Sequence, residues 1–476
     1  MHRFLISAAH KSSGKTTISI GLSAALKARG QSVQSFKKGP DYIDPLWLGL
    51  ASGRSCRNLD FYLSPHEEIK AQFARHGHAA DVCLVEGNKG LYDGLDLAGS
   101  NSNAALARLL GLPVVLVLDA RGMTRGIAPL ILGYQAFDGE LNIAGVILNR
   151  LGGSRHEAKL RAVIEHYTDV PVLGAVHEDP RLQLVERHLG LKPVNETSAA
   201  EQQVGEIAGL IAAQVDLARL LDLTATAIGL PQPLPTRERD AGAASVPLRI
   251  AIARDAAFGF YYADDLDAFA AAGAQLVPFD TLSDPHLPEA DGLFIGGGFP
   301  ESFLDELEAN VSLRGEIRSA IDQGMPAYAE CGGLMYLARS IAWRGQTRQM
   351  VGAIAADVVM HDKPVGRGYV KLRPNLAHPW LCQFAAAGDD ATALAAHEFH
   401  YSSLTNLSPQ TRYAYRMQRG HGCDGEHDGI IYRNLLASYT HLRSTPACDW
   451  AAEFAQFVRS VRDSAITPRR NGGSRR

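Results

Sequence analysis

The chain is expected to fold as two successive α/β domains, each an open sheet covered by helices. Three observations carry that expectation. Short apolar runs without polar alternation recur between helical segments, a proline-bearing polar stretch interrupts them after residue 230, and the same rhythm restarts near residue 246. Strands that lack alternation are buried on both faces, as in a parallel sheet wound by helices on either side. The length of 476 residues exceeds what one core ordinarily fills, so two domains of about 200 residues each are expected.

The elements follow in order. Residues 4–8, 33–36, 82–85, 114–118, 144–148 and 172–173 are strand candidates, and 18–29 and 103–110 carry Ala and Leu at helical spacing. Residues 201–221 read as one long amphipathic helix, after which Pro231, Pro233 and Pro235 open a polar stretch. Further strands are expected at 248–253, 275–278, 292–295 and 326–329. The resulting division is a first domain at 1–225, a linker at 226–245, a second domain at 246–460 and a tail at 461–476. Arg469, Arg470, Arg475 and Arg476, set among Gly and Ser, read as a solvated, disordered end.

Composition removes several classes of function. With 46% hydrophobic and 21% charged residues the chain is globular. A net charge of −4 argues against a nucleic-acid partner. No apolar run approaches the ~20 residues that span a bilayer, and no signal peptide opens the chain. No membrane partner and a cytoplasmic location are therefore expected. Cys56, Cys83, Cys331, Cys382, Cys423 and Cys448 are scattered without zinc or disulfide spacing, so reduced thiols are expected.

Directly after the first strand stands Ala9-His10-Lys11-Ser12-Ser13-Gly14-Lys15-Thr16-Thr17, nearly a P-loop. Small residues let backbone N–H groups of Ser12, Ser13, Gly14 and Thr17 surround phosphate oxygens, Lys15 neutralises them, and Thr16 can ligate Mg²⁺. Ala9 replaces the usual first glycine, which weakens the match because Ala resists positive φ. A phosphate-bound metal needs a carboxylate from a nearby strand end. Glu86 ends one strand, and Asp41 and Asp44 follow another. A helix cap or solvated turn is the commoner role of any one such acid. These residues alone give an ATP- or GTP-using domain, and P-loop folds serve kinases, switches, partitioning ATPases and ligases alike.

The blocks Phe36-Lys37-Lys38-Gly39-Pro40-Asp41-Tyr42-Ile43-Asp44, Glu86-Gly87 with Gly90-Leu91-Tyr92-Asp93-Gly94, and Gly145-Val146-Ile147-Leu148-Asn149-Arg150 resemble those of cobyrinate and hydrogenobyrinate a,c-diamide synthases. That family is in turn similar to dethiobiotin synthetase. The resemblance implies ATP and Mg²⁺ as cofactors, with Asn149 helping to read adenine and Tyr92 and Asp93 facing the substrate carboxylate. A strand-end cap is the plainer role for Asn149.

In the second half, Pro326-Ala327-Tyr328-Ala329-Glu330-Cys331-Gly332-Gly333 takes an apolar strand into a cysteine and two glycines that open a helix. Such an elbow exposes the sulfur, the helix N-terminus favours its thiolate, and the N–H of Gly332 can stabilise an oxyanion. Gly296-Gly297-Gly298 ends another strand and offers Gly297 and Gly298 as further donors. With His441 late in the chain as the base, the order is that of class I glutamine amidotransferases. Many of these carry Glu two residues after the histidine, where this chain has Arg443. The third member is therefore expected to be missing, as in the cobyrinate branch, and strong stand-alone glutaminase activity is not expected.

Together the halves imply a ligase in which ATP activates a carboxylate as an acyl phosphate and L-glutamine supplies ammonia. The family implies a tetrapyrrole carboxylate substrate, with amidation of acetate arms a and c in cobalamin biosynthesis, and the sequence is compatible with a homodimer. His10-Lys11-Ser12-Ser13, Gly87-Asn88-Lys89-Gly90 and Ser100-Asn101-Ser102-Asn103 look closer to amidases that act on sirohaem in dissimilatory sulfur metabolism, which is the alternative. A P-loop switch or partitioning ATPase with an inactive glutaminase domain is the remote one.

Overall fold

The computed structural model describes residues 1–187, 190–226, 247–380 and 393–466. Cys382, the segment 227–246 and the chain beyond 466 lie outside the described residues, and with them nearly all of the expected linker. The chain divides into two compact units, Met1–Thr236 and Arg237–Arg476.

In the first unit, β1 (His2–Ala8), β2 (Val33–Lys38), β3 (Arg57–Leu59), β4 (Val82–Glu86), β5 (Val114–Asp119), β6 (Ile143–Leu151) and β7 (Val172–His177) form one sheet in the order β3-β2-β4-β1-β5-β6-β7. Every pair in it is parallel. The helices α1 (Lys15–Ala28), α2 (Ile43–Ser52), α3 (His66–Gly77), α4 (Asn103–Leu110), α5 (Ile127–Phe137) and α6 (Ser154–Tyr167) connect successive strands. The absence of alternation in β1 is explained by its two faces. Phe4, Ile6 and Ala8 join one core and Leu5 the other.

A small hairpin of β8 (Glu186–Arg187) and β9 (Gly190–Leu191) follows β7. The single long helix expected over 201–221 is instead two, α7 (Ala200–Gln214) and α8 (Leu217–Thr224). The break has a tertiary cause. Val215 leaves helical geometry to bridge Gly174 of β7, the Asp216 N–H donates to the Leu173 carbonyl at 2.8 Å, and the Asp216 side chain then caps α8 by accepting from Arg219 N–H at 3.0 Å.

The second unit contains β10 (Leu248–Ala253), β11 (Phe258–Phe260), α9 (Ala263–Ala271), β12 (Ala274–Phe279), β13 (Gly292–Ile295), β14 (Gly297–Gly298), α10 (Leu304–Ala309), α11 (Val311–Asp322), β15 (Ala327–Glu330) and α12 (Gly332–Leu337). After them come β16 (Ser340–Trp343), β17 (Gln346–Gln349), β18 (Asp357–Met360), β19 (Gly366–Pro374), β20 (Leu394–His400), β21 (Ser402–Thr405), β22 (Arg412–Arg419), β23 (His427–Tyr432) and β24 (Leu435–Ser438). The main sheet runs β12-β10-β13-β15-β24-β23-β22-β19-β20. Its first five strands are parallel and the rest antiparallel. Leu293, Ile295, Ala327 and Ala329 enter one core, while Phe294 and Tyr328 enter the other beneath the closing helix Trp450–Ile466. That helix runs into the stretch that the sequence reading assigned to the tail.

Candidate active sites

In the first unit, β1 lies between β4 and β5, from which the chain winds outward to opposite edges. The crevice beyond the carboxyl ends of such strands is where doubly wound sheets receive ligands, and residues 9–14 fill its floor. Gly14 has φ +90°, and a Cβ there would stand 2.2 Å from Asn149 Nδ2, so both backbone and space require glycine. Ser12 also has positive φ, at 62°. Ala9 does not, so replacing the usual first glycine costs this loop nothing in backbone strain. Lys15 is buried, and loss of solvent brings its ammonium down to about 8, against the opposing pull of Glu86. A cation so placed gains from an arriving anion.

The other loop residues are held as follows. The Ser13 hydroxyl donates to His10 O at 2.9 Å, and the Thr17 hydroxyl to Leu182 O at 3.4 Å. Asn149 Nδ2 donates to Ser13 O at 2.9 Å, which gives Asn149 a loop-bracing part that the family resemblance did not suggest. Tyr92 gives its hydroxyl to Tyr134 O and packs on Phe137 with centroids 4.6 Å apart. Asp93 folds back to accept the Gly90 N–H at 2.8 Å. Asn103, buried in α4, donates to Ser7 Oγ and Gly90 O at 3.0 Å and also to Asn88 O, fixing the 88–90 loop above β1.

Thr16, Asp44 and Glu86 are brought together. The Thr16 hydroxyl lies 2.7 Å from Glu86 Oε1 and 3.3 Å from Asp44 Oδ2. Asp41, by contrast, serves as a cap, accepting the N–H groups of Ile43 and Asp44 at 3.0 and 3.1 Å. The sequence reading missed Lys37, whose buried ammonium pairs with Asp44, with Glu86 at 2.8 Å and with Asp41 at 3.7 Å. Lys15 is a second cation close to Glu86 and Asp44, and burial together with Asp44 raises Asp41 to about 7. Burial raises Glu86 above the usual carboxylate range in spite of Lys37, and Glu86 Oε2 is buried without a hydrogen-bond partner. These are the properties of a site with room for a further cation. Among the described residues no group of three His, Cys, Asp or Glu side chains could hold a metal by itself, so ligands from phosphate would have to complete the shell.

In the second unit, parallel pairing of β13, β15 and β24 delivers three segments to one sheet edge. Cys331 follows β15 as the N-cap of α12, at φ 49° and ψ −104°, the strained turn of a nucleophile elbow. Its N–H donates to Ser438 O at 2.7 Å. A Cβ on Gly298 would stand 1.9 Å from Ala257 O, one on Gly297 2.7 Å from His441 Cε1, and one on Gly332 3.0 Å from Gly298 N. The glycines thus bring bare backbone against the imidazole and the start of α12. His441 is buried and hydrogen-bonded to the Cys331 side chain. Its Nδ1 lies 3.2 Å from Glu330 Oε2, a carboxylate that sequence reasoning passed over while expecting none. His397 stacks on His441, with centroids 4.9 Å apart and planes at 18°. Arg443 turns away to pair with Asp264 at 2.7 Å. The five described cysteines are free.

Comparison with known proteins agrees with this division. Residues 5–191 match the CobQ/CobB/MinD/ParA nucleotide binding domain, and residues 249–446 the CobB/CobQ-like glutamine amidotransferase domain. A cobyrinate a,c-diamide synthase of Magnetococcus marinus is 45% identical over 96% of this chain and 97% of its own. The chain belongs to the cobyrinate a,c-diamide synthase family. Namesakes from Methanosarcina acetivorans and Listeria monocytogenes are 41% and 39% identical, over 97% and 93% of this chain and 96% of each relative. Membership of this family makes the chain a glutamine-hydrolysing carbon–nitrogen ligase, with its nucleotide-binding and amidotransferase parts in separate units. No described helix is long and apolar enough to cross a membrane.

Proposed function

We propose that the chain uses ATP with Mg²⁺ to amidate acetate arms a and c of cobyrinate or hydrogenobyrinate, with ammonia from glutamine. The observation that carries the reading is the occurrence, in one chain, of a phosphate loop facing converged acids and of a thiol–imidazole pair at a glycine-built edge. In the first unit, Lys15 and the backbone of residues 12–17 bind the β and γ phosphates and hold the terminal phosphoryl group for in-line attack by a substrate carboxylate oxygen. ADP leaves and an acyl phosphate forms. Thr16, Asp44 and Glu86 would hold the magnesium ion, which supplies positive charge to the phosphates. Asn149 braces the loop and faces the base, and Tyr92 and Asp93 belong to the loop on the substrate side.

In the second unit, the Cys331 sulfur attacks the glutamine side-chain carbonyl, and His441 passes a proton to the departing ammonia. The N–H groups of Gly297, Gly298 and Gly332 stabilise the oxyanion. Water then releases glutamate. Ammonia displaces phosphate from the acyl phosphate to give the primary amide.

Cys331→Ser tests the coupling. Glutamine-dependent amide formation should fall about 10³-fold or more, while the rate with ammonium salt stays within about twofold. Product mass spectra from parallel reactions with cobyrinate, hydrogenobyrinate and sirohaem identify the ring, and amidation of sirohaem alone would transfer the reading to that substrate. If nucleotide is hydrolysed while every ring acid keeps its mass, the proposed function is wrong.

A further inference from the structure

Class I amidotransferases usually orient the catalytic imidazole with a carboxylate two residues beyond it, and Arg443 occupies that position here. We propose that Glu330 is the positioning residue of the glutaminase site, a carboxylate placed immediately before the nucleophile that acts through His441. The inference rests on the thiol reading of Cys331 given above.

Strand register explains how a neighbour of the nucleophile can serve its base. Glu330 is the last residue of β15 and pairs across to Ser438 of β24, so its side chain meets the segment that carries His441 three residues on. Tyr328, two residues back on the same face, donates its hydroxyl to Glu330 Oε1 at 2.8 Å. The Leu442 N–H donates to the same oxygen at 3.0 Å. One oxygen is thereby anchored from β15 and from the segment that follows β24, and Oε2 is left 3.2 Å from His441 Nδ1. Glu330 and His441 are only 2% and 3% exposed, so the pair is shielded from water. With Nδ1 committed to a carboxylate, Nε2 is the nitrogen left for the thiol, and the imidazole is held in the orientation and tautomer that base catalysis requires.

The surrounding charges leave this task to Glu330. Arg443 is tied to Asp264 and lies over the Tyr262 ring at 5.4 Å. Asp265 is pinned to Ser444 N–H and Trp450 Nε1 at 2.6 and 3.2 Å. His397, stacked on His441, is pushed well below its ordinary value by burial and by the neighbouring His441 and Arg443 charges, and so stays neutral. Burial alone would also lower His441, but its hydrogen bonds to Cys331 and Glu330, with their charges, outweigh that and raise it to about 10. With Glu330 and Cys331 favouring the protonated ring, loss of the His441 proton sets an alkaline limit for the site.

Glu330→Gln keeps the shape and an acceptor for Leu442 N–H but removes the charge. Its glutamine-dependent kcat should fall about 10²- to 10⁴-fold, with KM for glutamine within about threefold and the ammonia-dependent rate retained. The alkaline limb of the kcat–pH profile should move down by about one unit or more. Glu330→Asp, which restores the charge on a shorter arm, should recover part of both. A Gln variant within about threefold of the parent, or one slowed with its alkaline limb unmoved, overturns the proposal. If the Gln variant does not fold, the Asp variant decides by the same profile, and an unshifted limb at full rate counts against it. Cys331→Ala run beside them separates the two claims. Persistent glutamine-dependent turnover in that variant removes the thiol reading itself, whereas turnover lost there but kept in Glu330→Gln removes only the role of Glu330.

Discussion

Burial alone can decide the charge of a single side chain in this protein, and His378 shows the consequence for stability. Its Nδ1 accepts the Trp380 N–H at 3.2 Å while Nε2 lies 2.8 Å from the Tyr415 hydroxyl. That arrangement requires the neutral ring with its proton on Nε2. Burial lowers His378 from an ordinary 6.5 to about 3. Below pH 6.5 the unfolded chain binds a proton that the folded one refuses, so the stabilisation is complete above that pH and is lost as pH falls toward 3. At about 1.4 kcal/mol per unit, acidification from pH 6.5 to 5 should remove about 2 kcal/mol from the second unit. Urea midpoints followed across that range should fall less steeply for His378→Asn than for the parent, the slope that remains belonging to His397, which is also held neutral. Equal slopes in the two proteins would show that another group carries the effect. Dependence on neighbours, by contrast, explains what sequence alone could not reveal. Lys37 is an ordinary lysine in the primary structure, and it becomes a buried counter-ion only because β2 and β4 set it beside Glu86. Glu330 was equally invisible, since its imidazole partner is 111 residues away in sequence.

At the scale of elements, local pattern and tertiary contact disagree at a few definable places. The helical periodicity of 201–221 is real, yet Val215 sits on Gly174 so closely that a Cβ there would lie 2.6 Å from Val215 Cγ2 and 3.1 Å from Gln214 O. Gly174→Ala should therefore push α8 off β7 and cost about 1–3 kcal/mol. Val215→Ala in the same chain should return part of that, because the Cγ2 clash disappears while the contacts with Gln214 O and Val215 Cα, both at 3.1 Å, remain. Thermal melts of both variants would check this, and additive losses would show that the two residues do not share a contact. The parallel strands were legible because apolar runs buried on both faces leave a direct mark on sequence, as in β1, β5 and β13. The antiparallel extension β23-β22-β19-β20 left none. Arg412–Arg419 and Gly366–Pro374 are polar, half-exposed strands, and their pairing is fixed by long-range register that no local pattern encodes. The elbow and the phosphate loop were readable because each is one contiguous segment with strict backbone demands. The brace between Asn149 and Ser13 was not, because it closes a gap of 136 residues.

For the whole molecule, the separation of chemistry between units predicts how ligands act on stability. Every phosphate-loop and acid-cluster contact described above lies within Met1–Thr236, and every thiol-site contact within Arg237–Arg476. Each unit also has its own pair of cores on the two faces of its sheet. Ligand that binds only one folded unit stabilises that unit by mass action, by about 2.7 kcal/mol at a hundred times its dissociation constant. Scanning calorimetry with a non-hydrolysable ATP analogue and Mg²⁺ should consequently raise one of two transitions and leave the other in place. Lys15→Ala should abolish that response while both transitions remain, since the substitution removes the buried cation of the phosphate loop. Reaction of Cys331 with a glutamine-mimicking affinity label should shift the remaining transition instead. A single transition moved equally by both ligands would mean that the units unfold as one cooperative body.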